Sequence, residues 1–240
     1  MPKEKVDRKR LLKEPDEFIS TSMRAMRWLR RNSRWVSAGA VLVVVCGVAV
    51  WGWKVYKDRQ EAQAQKLQTQ AYSFYARAAE EAEKTASQDL MGKAVERFEA
   101  VIKQFPDTRT GWIARVYRGR ANYALGKYDE AVQDFETALG SVPSGDDGTM
   151  RALALQGLGL ALQAKGNWEK AAAAFQSLKE AAAGSFGRMA DLELARCYEK
   201  QGKTKEALFV YQSLLGFLSE PLQREMVQAQ MARLSQSLKE

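Results

Sequence analysis

The chain has 240 residues, with 37 Lys or Arg, 29 Asp or Glu and a formal charge of +8. It has no histidine and two cysteines, which removes the commonest general base, the commonest zinc ligand and any disulfide framework. Residues 1–35 hold 11 basic and 5 acidic side chains while 57–240 hold 25 and 24, so the basic excess lies in the tail and a nucleic-acid-binding domain is excluded.

The tail, 1–35, begins its order at Pro15, Asp16 and Glu17, residues suited to a helix start. Phe18, Ile19, Met23, Met26 and Leu29 fall on one side of that helix. Arg24, Arg27, Arg31 and Arg34 fall on the other, which predicts a basic amphipathic helix lying on anionic lipid. The alternative is a topology signal in an otherwise disordered segment.

Residues 36–56, VSAGAVLVVVCGVAVWGWKVY, form an apolar run broken only by Lys54. A bilayer core is about 30 Å thick and needs about 20 helical residues, so the run predicts a transmembrane helix. Trp28 and Trp35 at the front, and Trp51, Trp53 and Tyr56 at the rear, match two headgroup belts. A buried core helix or a cleaved signal peptide fits less well: the leader is 35 residues, and Trp-Gly-Trp-Lys replaces the small residues of a cleavage site. The 11 basic residues in front, against Lys57, Arg59 and Lys66 just behind, predict a cytoplasmic N-terminus and an exported, periplasmic C-terminal part.

Residues 57–90 are rich in Ala, Gln, Glu and Lys, and predict a helical stalk that continues into the first helix of a domain. Tyr72, Phe74, Tyr75 and Ala79 are its expected apolar contacts.

From 91 to 220 a repeat is visible. Ala94, Ala131, Ala171 and Ala207 recur at spacings of 37, 40 and 36. Each is followed four residues later by an aromatic: Phe98, Phe135, Phe175 and Tyr211. Gly126, Gly166 and Gly202 precede the alanines by five, and Gly119, Gly159 and Ala195 stand seven earlier still. This is the pattern of stacked helical hairpins. The small residue permits close approach, the glycine ends the first helix in a left-handed turn, and the aromatic fills the gap beside the alanine. Three full units and a partial first one are expected, with 221–240 as a capping helix whose Leu222, Met226, Ala229 and Leu234 cover the last hairpin. The fold class is therefore all-α: one transmembrane helix, a helical stalk, and a solenoid of about four hairpins with a C-terminal cap.

Metal and catalytic motifs are absent from the sequence. Asp146 and Asp147 lack the alternating oxygens and distal Glu of a calcium loop. Gly157-Leu-Gly159 lies inside a repeat helix rather than after a strand, so it is not a phosphate loop. Cys46 and Cys197 belong to different compartments, and Cys197 reads as a small core residue. No cofactor, metal or enzymatic activity is expected.

These residues resemble the tetratricopeptide repeat. The second unit, with Gly119, Ala121, Tyr123, Gly126, Tyr128, Ala131, Phe135, Ala138 and Pro143, is close to that pattern. The resemblance implies a concave surface built from first-helix positions: Ile113, Tyr117, Arg120 and Tyr123, then Gln156, Leu160 and Gln163, then Met189, Arg196 and Glu199. Each of these either meets a partner or packs between hairpins. The Lys/Asn set that some members use to clamp a C-terminal carboxylate is missing.

The layout as a whole is similar to the YfgM-type proteins of the Gram-negative inner membrane, with residues 26–56 like that family's anchor and QREMVQAQMARLS like its last helix. That resemblance implies an accessory role at the Sec translocon, beside a periplasmic chaperone or peptidyl-prolyl isomerase. A scaffold of another envelope complex (outer-membrane assembly, secretion or motility) and a self-associating repeat protein are the alternatives.

Overall fold

A computed structural model describes residues 17–238 apart from 144, 146, 147, 183 and 219. The expected helix start at Pro15 and Asp16, and the two aspartates of the 141–149 turn, lie outside the described residues. Among the described residues every regular element is an α-helix. In chain order these are α1 (Glu17–Arg31), α2 (Ser33–Glu80), α3 (Lys84–Gln104), α4 (Arg109–Ala124), α5 (Tyr128–Leu139), α6 (Thr149–Ala164), α7 (Trp168–Ala181), α8 (Ser185–Lys200), α9 (Thr204–Leu215) and α10 (Pro221–Ser237). The chain divides into two compact units, one ending at Lys57 and one beginning at Asp58, and α2 runs through that boundary.

The first unit holds α1 and the apolar part of α2. The two helices are interrupted at Asn32, whose side-chain amide donates to the Trp28 carbonyl at 3.1 Å. Its own carbonyl accepts the amides of Trp35 and Val36. Arg24, Arg27, Arg31 and Arg34 are exposed, as are Met26 and Leu29. Along α2 the side chains from Val41 to Val50 are exposed. This helix is long and apolar enough to cross a membrane.

The second unit is four hairpins and a cap. Ala94, Ala131, Ala171 and Ala207 are fully buried, and so are Phe98, Phe135 and Phe175, with Tyr211 nearly so. The glycines that end the first helices have φ of +78° (Gly126), +73° (Gly166) and +72° (Gly202), the left-handed region that L side chains avoid. After each glycine the next amide reaches back to the last turn, Lys127 to Asn122 O, Asn167 to Leu162 O and Lys203 to Tyr198 O. The three turns are thus one helix-ending motif used three times.

The first hairpin is complete, which the repeat pattern had not indicated. Its first helix is the C-terminal part of α2, where Ala64, Ala71 and Ala78 recur every seven residues and are buried. They pack with Phe98, Val101, Ala114 and Met91 of α3 and α4. Glu61 already joins the domain, accepting from the Thr110 amide (3.1 Å) and hydroxyl (2.5 Å) at the start of α4. Its carboxylate sits at the positive end of that helix. The expected boundary at 90 falls inside α3, and the break is instead at 81–83, where neither Gly nor Pro signals it. Ala79 is exposed and Ala78 is the contact, because the seven-residue line of alanines, not the aromatic spacing, sets the rotation of this helix.

The cap also differs from expectation. Leu234 is buried as expected, but Leu222 and Met226 are 68% and 64% exposed and Ala229 is exposed, and Val227 is buried instead with Met231 half-buried beside it. The inner face of α10 is therefore rotated by about one residue from the predicted one. Arg224 contributes to this setting by donating to the carbonyls of Leu215 and Leu218, which close the end of α9.

Candidate functional site

The first helices of the second, third and fourth hairpins, α4, α6 and α8, carry the concave-face candidates. In the N-terminal half those candidates are largely engaged within the protein. Tyr117 meets Tyr72 edge-on at 5.4 Å between ring centres, Tyr75 at 5.5 Å, and stacks on Phe98 at 5.9 Å. Burial, with Tyr72 beside it, raises the pKa of the Tyr117 phenol. Arg120 donates to the Tyr75 hydroxyl at 3.2 Å. Ile113 is half-buried against the cluster around Trp112 and Phe135. Tyr123 packs on Tyr128, with ring centres 5.6 Å apart.

The C-terminal half is more open. Two adjoining clefts lie between α8 and α10, because α10 packs on α9 and stands off α8. The larger, about 700 Å³, is polar and is lined by Tyr123, Leu160, Gln163, Arg196 and Glu199 of the candidate set, together with Arg233 of α10. The smaller, about 570 Å³, is mainly apolar and is lined by Met189, Leu192, Leu214, Leu218 and Met226. Arg196 and Gln230 line both, so the two clefts adjoin at those side chains.

The acids of this cleft are internally bound. Glu199 accepts from the Tyr211 hydroxyl at 2.6 Å, Gln230 Nε2 at 2.6 Å and Arg233 at 2.7 Å, tying α8 to α9 and α10. Burial and the Glu199 hydrogen bond raise the pKa of the Tyr211 phenol. Glu193 accepts from Arg196 (2.7 Å) and from Gln163 (3.0 Å), and the same Gln163 amide reaches the Cys197 sulfur at 3.3 Å. Burial pushes the Cys197 thiol up, partly opposed by that amide, so it is a poor nucleophile. Gln156 is only 4.0 Å from the Met189 sulfur.

The structure thus brings six of the ten concave candidates to the two adjoining clefts, namely Tyr123, Leu160, Gln163, Met189, Arg196 and Glu199, with Gln156 touching Met189 from outside their lining. Ile113, Tyr117 and Arg120 are held in the first two hairpins. Met226, Gln230 and Arg233, all on α10, were read as parts of a cap and not as site residues.

A tetratricopeptide repeat-like domain matches the chain over residues 26–236, a span that includes the apolar segment. No curated protein matches it. Among solved structures it is similar to a putative kinesin light chain with nearly identical TPR-like repeats from Podosopora anserina. The identity is 19%, covering 75% of this chain and 88% of that one, with a TM-score of 0.57. A single-residue variant of that protein gives 18% identity, the same coverages and the same score. BtubC (BKLC) from P. vanneervenii is similar at 14% identity, covering 76% and 84%, with a TM-score of 0.55. At these identities the likeness is one of fold.

Proposed function

The chain belongs to the tetratricopeptide repeat-like domain family, and from this we propose a membrane-anchored, non-catalytic adaptor whose concave face binds protein partners. The observation that carries the proposal is the pair of adjoining clefts between α8 and α10 at the end of a repeat array. A solenoid presents such a surface to an extended or helical segment of another protein.

The finer reading rests on the apolar helix and on charge. Residues 18–53 contain no acid and five arginines, all before the apolar run, which supports a cytoplasmic N-terminus and a periplasmic repeat domain. The exposed arginines of α1 and Arg34 favour anionic lipid on the inner leaflet. Together with the YfgM-like layout, this supports an accessory factor of the Sec translocon working beside a periplasmic chaperone or prolyl isomerase. Tethering raises the local concentration of such partners and makes weak contacts sufficient.

Crosslinking from residues 48–60 in membranes, read by mass spectrometry, tests the assignment. Translocon or chaperone subunits are expected. Recovery of only outer-membrane or motility components, or only of further copies of this chain, contradicts it.

A further inference from the structure

The mainly apolar cleft of about 570 Å³ has a lining that defines what it takes. Its walls are Met189, Leu192, Leu214 and Met226, and its rim carries Arg188 and Arg196. None of the described residues lining it is Asp or Glu. Arg196 is held by Glu193, whereas the exposed Arg188 guanidinium has no partner among the described residues. An apolar trough with unopposed positive charge at its edge is complementary to a bulky apolar side chain with a carboxylate beside it. The two methionines suit such a role, since an unbranched thioether adapts to differently shaped side chains. The trough also adjoins the polar cleft at Arg196 and Gln230, and the acids of that cleft, Glu193 and Glu199, are already bound.

We propose that this trough between α8 and α10 is an anchor pocket for an acidic peptide segment of a protein partner, which seats a large apolar side chain against Met189 and Met226 and its neighbouring carboxylate on Arg188. The proposal rests on the adaptor reading above and names the partner's chemistry. Apolar burial supplies the affinity and Arg188 the preference for acidic flanks. Met226 is 64% exposed and Arg188 is exposed, so both can be changed without disturbing the core.

The test uses the full chain in detergent micelles and three fluorescent synthetic peptides. One has Leu and Phe anchors flanked by Asp and Glu, one has the same anchors flanked by Lys, and one has acidic flanks with Ala at the anchors. Fluorescence anisotropy is expected to show binding of the first and at least about tenfold weaker binding of the other two. Arg188→Glu is expected to weaken the first peptide about five- to tenfold and to narrow the gap to the Lys-flanked one. Met226→Glu is expected to weaken it similarly, and Phe209→Ala, on another face of α9, to leave it unchanged. Equal binding of acidic and basic peptides, failure of the acidic peptide to bind, or full binding by both pocket variants overturns the proposal. Partner crosslinks from the membrane-proximal residues would still support the adaptor reading in any of those cases, so the two fail separately.

Discussion

Gly159 of α6 lies against the ring of Phe175 so closely that a methyl group at its Cα would stand 2.5 Å from the ring's Cζ. Gly119 bears the same relation to Phe135 at 2.9 Å, and Gly157 meets Phe135 from the following hairpin more closely still. Phe135 is thus gripped by glycines of two hairpins, which links the second hairpin to the third.

Because Phe135 and Phe175 are fully buried, their rings cannot swing away from an added methyl. Gly159→Ala and Gly157→Ala are expected to destabilise the domain by about 1–3 kcal/mol through overpacking. Gly92→Ala, in the interior of α3 where an added methyl group would meet no atom of another element within 4 Å, is expected to stabilise it by about 0.5–1 kcal/mol. Thermal unfolding of the three variants checks the opposite signs.

Arg118 and Asp134 form a two-pronged pair, at 3.0 and 2.5 Å, and Asn122 adds a bond to the same carboxylate at 3.2 Å. Asp134 is 4% exposed. The Asp134 bond raises the pKa of the Arg118 guanidinium against the opposing effect of its burial. Arg118→Ala leaves the carboxylate buried without its cation, and a loss of about 3 kcal/mol is expected in denaturant unfolding. Arg118→Ala combined with Asp134→Ala is expected to cost less than the sum of the two single changes.

Glu199 holds α10, through Gln230 and Arg233, and α9, through Tyr211. Glu199→Ala is expected to loosen α10 more than the hairpins. Hydrogen exchange of the α10 amides is then expected to rise at least tenfold while α6 and α7 stay protected. Uniform loosening across the domain would contradict this.

Tyr211 gives the alkaline dependence. Its phenol has a folded pKa above its ordinary value of 10.0, chiefly through burial and then through its bond to Glu199. Its contribution to stability is therefore complete below pH 10 and is lost as pH rises from there toward the folded value. Tyr211→Phe is expected to lower stability at pH 7 by about 1 kcal/mol and to flatten the decline above pH 10, measured by urea midpoints across pH.

The repeat was legible because its positions are dictated by local sterics. A small residue, a left-handed glycine and an aromatic at fixed offsets leave few other solutions, and Gly119, Gly126, Ala131 and Phe135 all sit as their spacing requires. The first hairpin was half hidden because its first helix carries no such glycine. Its packing signal is instead the seven-residue line of Ala64, Ala71 and Ala78 within a helix-favouring sequence. The cleft was hidden for a different reason. Which face of α10 turns inward depends on Glu199, Gln230 and Arg233 meeting across 31 and 34 residues, and no local pattern encodes that.

The central claim is that the concave cleft, and not the outer face of the repeats, meets a protein partner. A photo-crosslinking residue placed at Gln163 in the cleft, and separately at Gln176 on the exposed side of α7, tests it directly in cells making the full chain. Defined adducts with another protein from Gln163, and none from Gln176, are the predicted result. Equal adducts from both positions, or adducts from Gln176 alone, would contradict it.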